Sequence, residues 1–476
     1  MNKKNVKKLS IAVATLCASG SLVYFSNVSG GAEGAIPVYA DGNELFKTEL
    51  YLGAWCEPEA TDEAFERYKE IGFNVMYLKS EVRYNTNTLA HYLNMGEKYD
   101  IKMIIANGTD RGLPISLRYQ TKFSLADYPA FYGLQAVDEP QGDGTKRDET
   151  AENYVPEVKA AETTGGIAYN TIYDYMLAEY EYLEETYPNK YYSNVLNFSP
   201  EEGGFGYGTL NAYATHVLSK MDKEDRTIEY DKYPYAYETK TGNAFRTTFH
   251  WNFLEVAKCA KQYEVGKRVF YYQQWFPYAL RSQLSTQELT YQFYTGMCFG
   301  FNGFVAYKYA SYWKDYNDMV DFTMNSAWGE TELNYYNQVA FNEIKKFDHI
   351  YLNFANNWEG ILKVKGTEYS SPLVTPSLDR LTGEYVLSSH EGIESITATH
   401  DTLVGAYKDG DGRNGYMISN QSYTLDRMKD TVSVQFKNAT KALVIEKGEQ
   451  KTVNLENGKY TVNLPAGSGV FVIPVA

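Results

Sequence analysis

Phe131-Tyr-Gly-Leu-Gln-Ala-Val-Asp-Glu-Pro140 is a short apolar run that ends on two acids and a proline. A run of this length, bounded by turn-forming residues, reads as a buried strand rather than a helix. In both directions along the chain the same kind of run returns, separated by amphipathic stretches. Upstream are Glu49–Trp55, a helix over Thr61–Ile71 with Phe65, Tyr68 and Ile71 on one face, Val75–Leu78, a helix over Leu89–Tyr99, and Ile101–Ala106. Downstream come a helix over Asn170–Glu185, then Tyr191–Leu196, Ile228–Tyr230, Arg268–Tyr272, a helix over Ser285–Phe299, Gly303–Tyr307 and a closing helix over Glu332–Asn353. Short strands alternating with helices predict βα units and a parallel sheet. Eight such units over about 300 residues match an α/β TIM (β/α)8 barrel in count and length.

The texture changes after residue 357. Gly405–Tyr407, Gly415–Ser419, Val432–Phe436, Ala442–Glu446 and Val470–Ile473 are short β-rich runs separated by turn signals such as Asp409-Gly-Asp-Gly412 and Asn457-Gly458. They predict a small all-β sandwich. The expected organisation is therefore a signal peptide over 1–40, a catalytic barrel over 41–356 and a C-terminal β-sandwich over 357–476. The signal reading rests on Lys3, Lys4, Lys7 and Lys8, the apolar stretch from Ile11 to Tyr24 and the small-residue ending Val38-Tyr39-Ala40. That stretch is short for a membrane span, so a secreted or cell-surface protein with no membrane association after cleavage is expected.

Composition narrows the function. The 476 residues carry a formal net charge of -15, with 44% hydrophobic and 22% charged residues. This is a globular composition without the basic patch of a nucleic-acid binder. Tyrosine supplies 45 residues, each offering a flat face for a sugar ring and a hydroxyl for hydrogen bonds. Cys56, Cys259 and Cys298 form no disulfide framework and lack zinc-ligand spacing, and none of the six His makes a ligand pair. No metal or other cofactor is expected. Gly203-Gly-Phe-Gly-Tyr-Gly208 follows a strand but is read as a site wall, not a phosphate loop.

In a TIM barrel the active groups stand at the C-terminal ends of the strands. Those ends are Trp55-Cys-Glu57 on strand one, Lys79 on strand two, Asn107 on strand three, Asp138-Glu139 on strand four, Asp231-Lys-Tyr233 on strand six, Gln273-Gln-Trp275 on strand seven and Lys308-Tyr309 on strand eight. Carboxylates, amides and aromatics thus converge on one mouth. Glycoside hydrolysis needs a proton donor for the leaving oxygen and a second carboxylate as nucleophile or base. Glu139 is the expected proton donor. Trp55, Glu57, Lys79, Asn107, Tyr233, Gln273, Gln274, Trp275 and Tyr309 are the expected oligo- or polysaccharide contacts. Lys79 and Lys308 could also lower a neighbouring carboxylate's pKa.

The Tyr132–Pro140 segment resembles strand four of barrel glycosidases of clan A, which place the acid/base Glu at that strand's end. Asp231-Lys-Tyr-Pro234, Tyr272-Gln-Gln-Trp-Phe276, Ser285-Thr-Gln-Glu-Leu289 and Gly303–Tyr307 resemble later segments of such enzymes, and Leu464–Phe471 resembles the end of their accessory β domain. The resemblance implies a glycoside hydrolase with Glu139 as acid. It departs at strand seven, where clan A enzymes carry a nucleophilic Glu and this chain has Gln273 and Gln274. Three arrangements stay open. Asp231 or Glu57 supplies the second carboxylate, with a wide gap and inversion. Alternatively, Asp138 orients the acetamido group of an N-acetylhexosamine beside Glu139. Or the barrel binds sugar without cleaving it.

Overall fold

The computed structural model describes residues 49–78, 86–106, 124–138, 172–197, 208–235, 245–265, 269–275, 284–309, 332–422 and 428–476. Eight strands close into a parallel barrel in sequence order: β1 (Tyr51–Trp55), β2 (Val75–Leu78), β3 (Lys102–Ala106), β4 (Phe131–Asp138), β5 (Tyr191–Leu196), β6 (Ile228–Asp231), β7 (Val269–Gln274) and β8 (Gly303–Tyr307). Pairing of β1 with β8, Tyr51 opposite Gly303, seals the ring. The fold is a TIM barrel followed by an all-β region, as the alternation of runs implies.

Side-chain alternation sorts each strand into two layers. Tyr51, Trp55, Val75, Tyr77, Ile104, Ala106, Tyr191, Val195, Phe270, Tyr272 and Val305 fill the lumen. Their sequence neighbours Leu52, Ala54, Met76, Met103, Ile105, Tyr271 and Phe304 join the larger core under the helices. Close approach of the lumen wall demands glycine at Gly303, where a Cβ would lie 1.5 Å from the Phe270 ring.

The helices are α1 (Asp62–Ile71), α2 (Thr86–Tyr99), α3 (Ile172–Thr186), α4 (Gly208–His216), α5 (Phe249–Gln262), α6 (Thr286–Cys298), α7 (Glu332–Lys345) and α8 (Asp348–Ala355). Local signals set their ends. Thr61 accepts from the Ala64 amide at the start of α1, and Gly72 at φ 115° stops it. Ser285 and Glu288 form a capping box on α6. The closing helix expected over Glu332–Asn353 is two helices. Phe347 turns into the core, and the Asp348 carboxylate accepts from the Leu50 and His349 amides instead of continuing one helix.

Beyond α8, a seven-stranded sheet runs in the order β10 (Val386–Leu387), β9 (Trp358–Val364), β12 (Thr402–Lys408), β13 (Asn414–Asn420), β18 (Gly469–Val475), β15 (Lys441–Glu446), β16 (Glu449–Asn454). A three-stranded sheet of β11 (Ile393–Ala398), β14 (Asp430–Phe436) and β17 (Lys459–Leu464) covers one face. Val404, Ala406, Tyr416 and Ile418 meet Val432, Val434, Tyr460 and Val462 between them. On the other face of the large sheet, Leu403, Met417 and Phe471 belong to the barrel's own core.

Candidate functional site

Among the described barrel strands, β4 and β6 end on acids. β4 carries two register shifts, one between its pairs with Met103 and Ile104, the other between Gln135 and Val137. Each shift moves the chain by one residue, which reverses the facing of everything beyond it. The two cancel. Tyr132 stacks on Tyr191 at the lumen, and Asp138 ends opposite the lumen residue Val195. Between them Ala136 and Val137 both enter the outer core. Asp138 is half-buried at the last position of the strand. β5 carries no acid at its end. β6 ends on Asp231, 5% exposed, on the same face as Glu229 by the two-residue pleat.

The segment after Asp231 is wired to β7. Gln274 accepts from the Tyr235 amide and donates to the Tyr235 carbonyl, both at 2.9 Å. The Tyr271 hydroxyl lies 2.8 Å from the Lys232 carbonyl and 2.9 Å from Oε1 of Gln292 on α6. Gln292 in turn pairs with the Gln274 backbone, accepting at 2.8 Å and donating at 3.0 Å. Lys232 and Lys308 are buried beside this segment and beyond β8. Tyr233 and Tyr307 are half-buried at the mouth with ring centroids 5.8 Å apart. The peptide after Tyr307 is cis. Cys56, at the end of β1, holds a left-handed backbone with φ 69°.

Beneath the mouth lies a carboxyl that no motif flagged. Glu229 is fully buried in the lumen. It accepts from the hydroxyls of Tyr77 at 2.7 Å, Tyr191 at 2.5 Å and Tyr272 at 2.9 Å, and Tyr51 donates to Tyr77 at 2.8 Å. Burial pushes the Glu229 pKa up, and the tyrosine hydrogen bonds offset this only in part. Burial, with the carboxyl beside them, also raises the hydroxyls of Tyr77, Tyr191 and Tyr272 well above the usual phenol range.

The residues expected at the mouth fall into distinct places. Asp138, Asp231 and Tyr233 stand at strand ends around the opening. Trp55 is 1% exposed in the lumen layer, its ring 5.4 Å from Tyr77 and 5.6 Å from Tyr272. Glu57 is buried where its charge is felt by the Tyr68 and Tyr92 hydroxyls on α1 and α2. Gln273 pairs with Ala306, whose side chain lies in the outer core, and its side-chain amide is buried with no hydrogen-bond partner among the described residues. Trp275 packs against Phe73 and Phe341, and Tyr309 against Tyr68 and Phe73. Glu139, Lys79 and Asn107 lie outside the described residues. Two residues were missed, Glu229 and Tyr307. Counting by twos back from Asp231 and on from Val305 reaches both.

Among the described residues no group of three His, Cys, Asp or Glu side chains is placed to hold a metal ion. No described helix is long and apolar enough to cross a membrane.

No protein-family model matches the sequence. No curated protein matches it either. Solved structures do. A catalytic mutant of a GH42 β-galactosidase from G. stearothermophilus superposes with a TM-score of 0.52 at 9% identity, covering 90% of this chain and 98% of that one. A family 39 glycoside hydrolase from Bacteroides cellulosilyticus WH2 gives 0.46 at 12% identity, covering 92% and 83%. An endo-β-1,4-mannanase from Thermotoga petrophila gives 0.41 at 10%, covering 88% and 97%. At these identities the likeness is one of fold: the chain has the architecture of barrel glycoside hydrolases.

Proposed function

We propose that this chain hydrolyses O-glycosidic bonds of an oligo- or polysaccharide outside the cell, after removal of residues 1–40. The observation that carries the reading is the pair of acids, Asp138 and Asp231, ending β4 and β6 on the lumen side of one barrel mouth. Glu139, which follows Asp138, is the proton donor for the leaving oxygen. Asp231 is the base that activates water. β5 separates the strands that end on Asp138 and Asp231, so those two backbones stand roughly 10 Å apart at two strand spacings. The reaction proposed here inverts the anomeric centre, with a water held between the carboxyls of Glu139 and Asp231. Tyr233 and Tyr307 offer the half-buried rings on which a sugar face would rest.

The test is hydrolysis of a panel of 4-nitrophenyl glycosides and oligosaccharides, with product anomers followed by NMR. Glu139→Gln and Asp231→Asn should each lower kcat by about 10²–10⁴-fold with folding intact. Full activity in either variant removes that residue from its role. The amides of Gln273 and Gln274, where a clan A enzyme carries a carboxylate, favour a second reading: a barrel that binds sugar without cleaving it. Saturable binding with no cleavage across the panel would establish that one.

A further inference from the structure

The end of β7 invites the question of why amides stand where a nucleophile is expected. The geometry points to Gln274 as a positioning residue: its amide pairs with both backbone groups of Tyr235 and so fixes the Asp231–Tyr235 segment that presents Asp231 and Tyr233 to the sugar. This inference rests on the hydrolase reading for what the segment does, but not for how it is held.

Donors and acceptors match one to one across this contact. Tyr235 offers one N–H and one C=O, and Gln274 meets them with Oε1 and Nε2, each at 2.9 Å. The side chain thus stands in for a strand neighbour, supplying the pairing that buried backbone groups require. Tyr235 and Gln274 are both buried, so water cannot replace a lost partner. Only an amide fits. An ionised glutamate at this position has no donor and would set a carboxylate oxygen against the Tyr235 carbonyl. The sequence departure at strand seven then has a structural reason, and the second carboxylate must come from another strand.

The clamp is itself braced. Gln292 on α6 holds the Gln274 backbone through two hydrogen bonds. The Tyr271 hydroxyl can give its one hydrogen to either the Lys232 carbonyl or Oε1 of Gln292, and the Tyr235 hydroxyl reaches the Glu288 carbonyl at 3.2 Å. The Arg246 amide donates to the Pro234 carbonyl at 2.8 Å. Backbone groups at 232, 234 and 235 are therefore all held. Asp231, one residue upstream, cannot shift without breaking them. A displacement of about 1 Å at a reacting group is enough to lower turnover a hundredfold.

The test compares the full-length wild type with Gln274→Met, which keeps the volume without the amide, Gln274→Asn, which keeps an amide on a shorter stem, and Gln274→Glu. Hydrogen exchange read by mass spectrometry on peptides spanning 228–246 reports the clamp without reference to activity. Met and Glu should speed exchange of this segment at least tenfold while β1 to β3 stay unchanged, with Asn intermediate. On any 4-nitrophenyl glycoside the wild type cleaves, Met and Glu should lower kcat about a hundredfold and leave KM within threefold. Gln274→Glu should not become labelled by a 2-deoxy-2-fluoroglycosyl fluoride. Unchanged exchange in the Met variant overturns the clamp. Faster exchange with kcat retained overturns its positioning role, and covalent labelling of the Glu variant shows that position 274 faces the anomeric carbon instead. A wild type that cleaves nothing defeats the hydrolase reading and the catalytic half of this inference, while exchange still decides the clamp.

Discussion

Glu229 sits in the middle of a barrel with three tyrosine hydroxyls converging on its carboxyl. An ion at this depth is unfavourable unless well solvated by donors, and here burial outweighs them, raising the pKa. The sign follows. A carboxyl whose folded pKa lies above its unfolded value contributes stability that is fully present below the unfolded pKa and is lost as pH rises through the folded one. Glu229→Gln removes the titration and keeps an acceptor oxygen, so its stability at pH 7 should equal or exceed that of the wild type. Its advantage should grow as pH rises above the unfolded carboxyl value, toward the raised folded one. Glu229→Ala removes the acceptor shared by three buried hydroxyls and opens a cavity, and should lose about 3–5 kcal/mol in urea denaturation. An Ala variant as stable as the Gln variant would show that the hydroxyls find other partners. Sequence reading passed over this residue because Ile-Glu-Tyr looks like an ordinary alternating strand. Only ring closure reveals that the Glu side of β6 has no solvent.

β4 shows what a linear pattern can and cannot carry. Its length and its acidic ending were legible, since apolar runs and strand-end acids are local features. Its two register shifts were not, because a shift exists only relative to β3 and β5. Just past the first shift, Gly133 lies directly against β5. A Cβ there would lie 1.9 Å from the Tyr191 carbonyl oxygen, so β4 and β5 approach more closely than any side chain permits. Gly133→Ala must push the two strands apart, and backbone cannot yield as a flexible side chain would. We expect a loss of at least ~3 kcal/mol, on the scale of an overpacked core, read as a lowered urea midpoint. The same change should disturb Asp138, five residues on, and so lower kcat by more than the loss of folded protein explains. A midpoint within experimental error of the wild type would mean that the strands can separate freely. α5 was unread for another reason: His250, Asn252 and Glu255 are buried among its apolar residues and interrupt the apolar stripe.

The barrel and the β region share one hydrophobic core, and a histidine marks the seam. Every residue of α6 from Glu288 to Cys298 is buried, with the barrel on one side and β12 and β13 on the other. The change of texture at 357 announced the second region, but nothing in the sequence announced this shared helix, because burial from two directions leaves no amphipathic trace. Beside α6, His250 of α5 is fully buried. Its Nδ1 lies 2.8 Å from the hydroxyl of Ser377, in the short helix α9 (Thr375–Asp379), and its Nε2 lies 2.9 Å from Oε1 of Gln421 and 3.0 Å from the Tyr291 hydroxyl. Burial lowers its pKa to about 3, with the Gln421 hydrogen bond opposing. In the unfolded chain a histidine titrates near 6.5. As pH falls below that value the unfolded state takes up a proton that the folded state refuses until about pH 3. The stability contributed by the neutral ring is therefore present above pH 6.5 and declines by about 1.4 kcal/mol per unit on acidification. His250→Asn breaks the seam's hydrogen bonds at every pH but has no such titration. The stability gap between wild type and variant should accordingly narrow by roughly 2 kcal/mol between pH 7 and pH 4.5 in parallel urea titrations. A gap that stays constant or widens over that range would mean that the imidazole accepts its proton inside the folded protein, and that the seam opens to water as the solution turns acid.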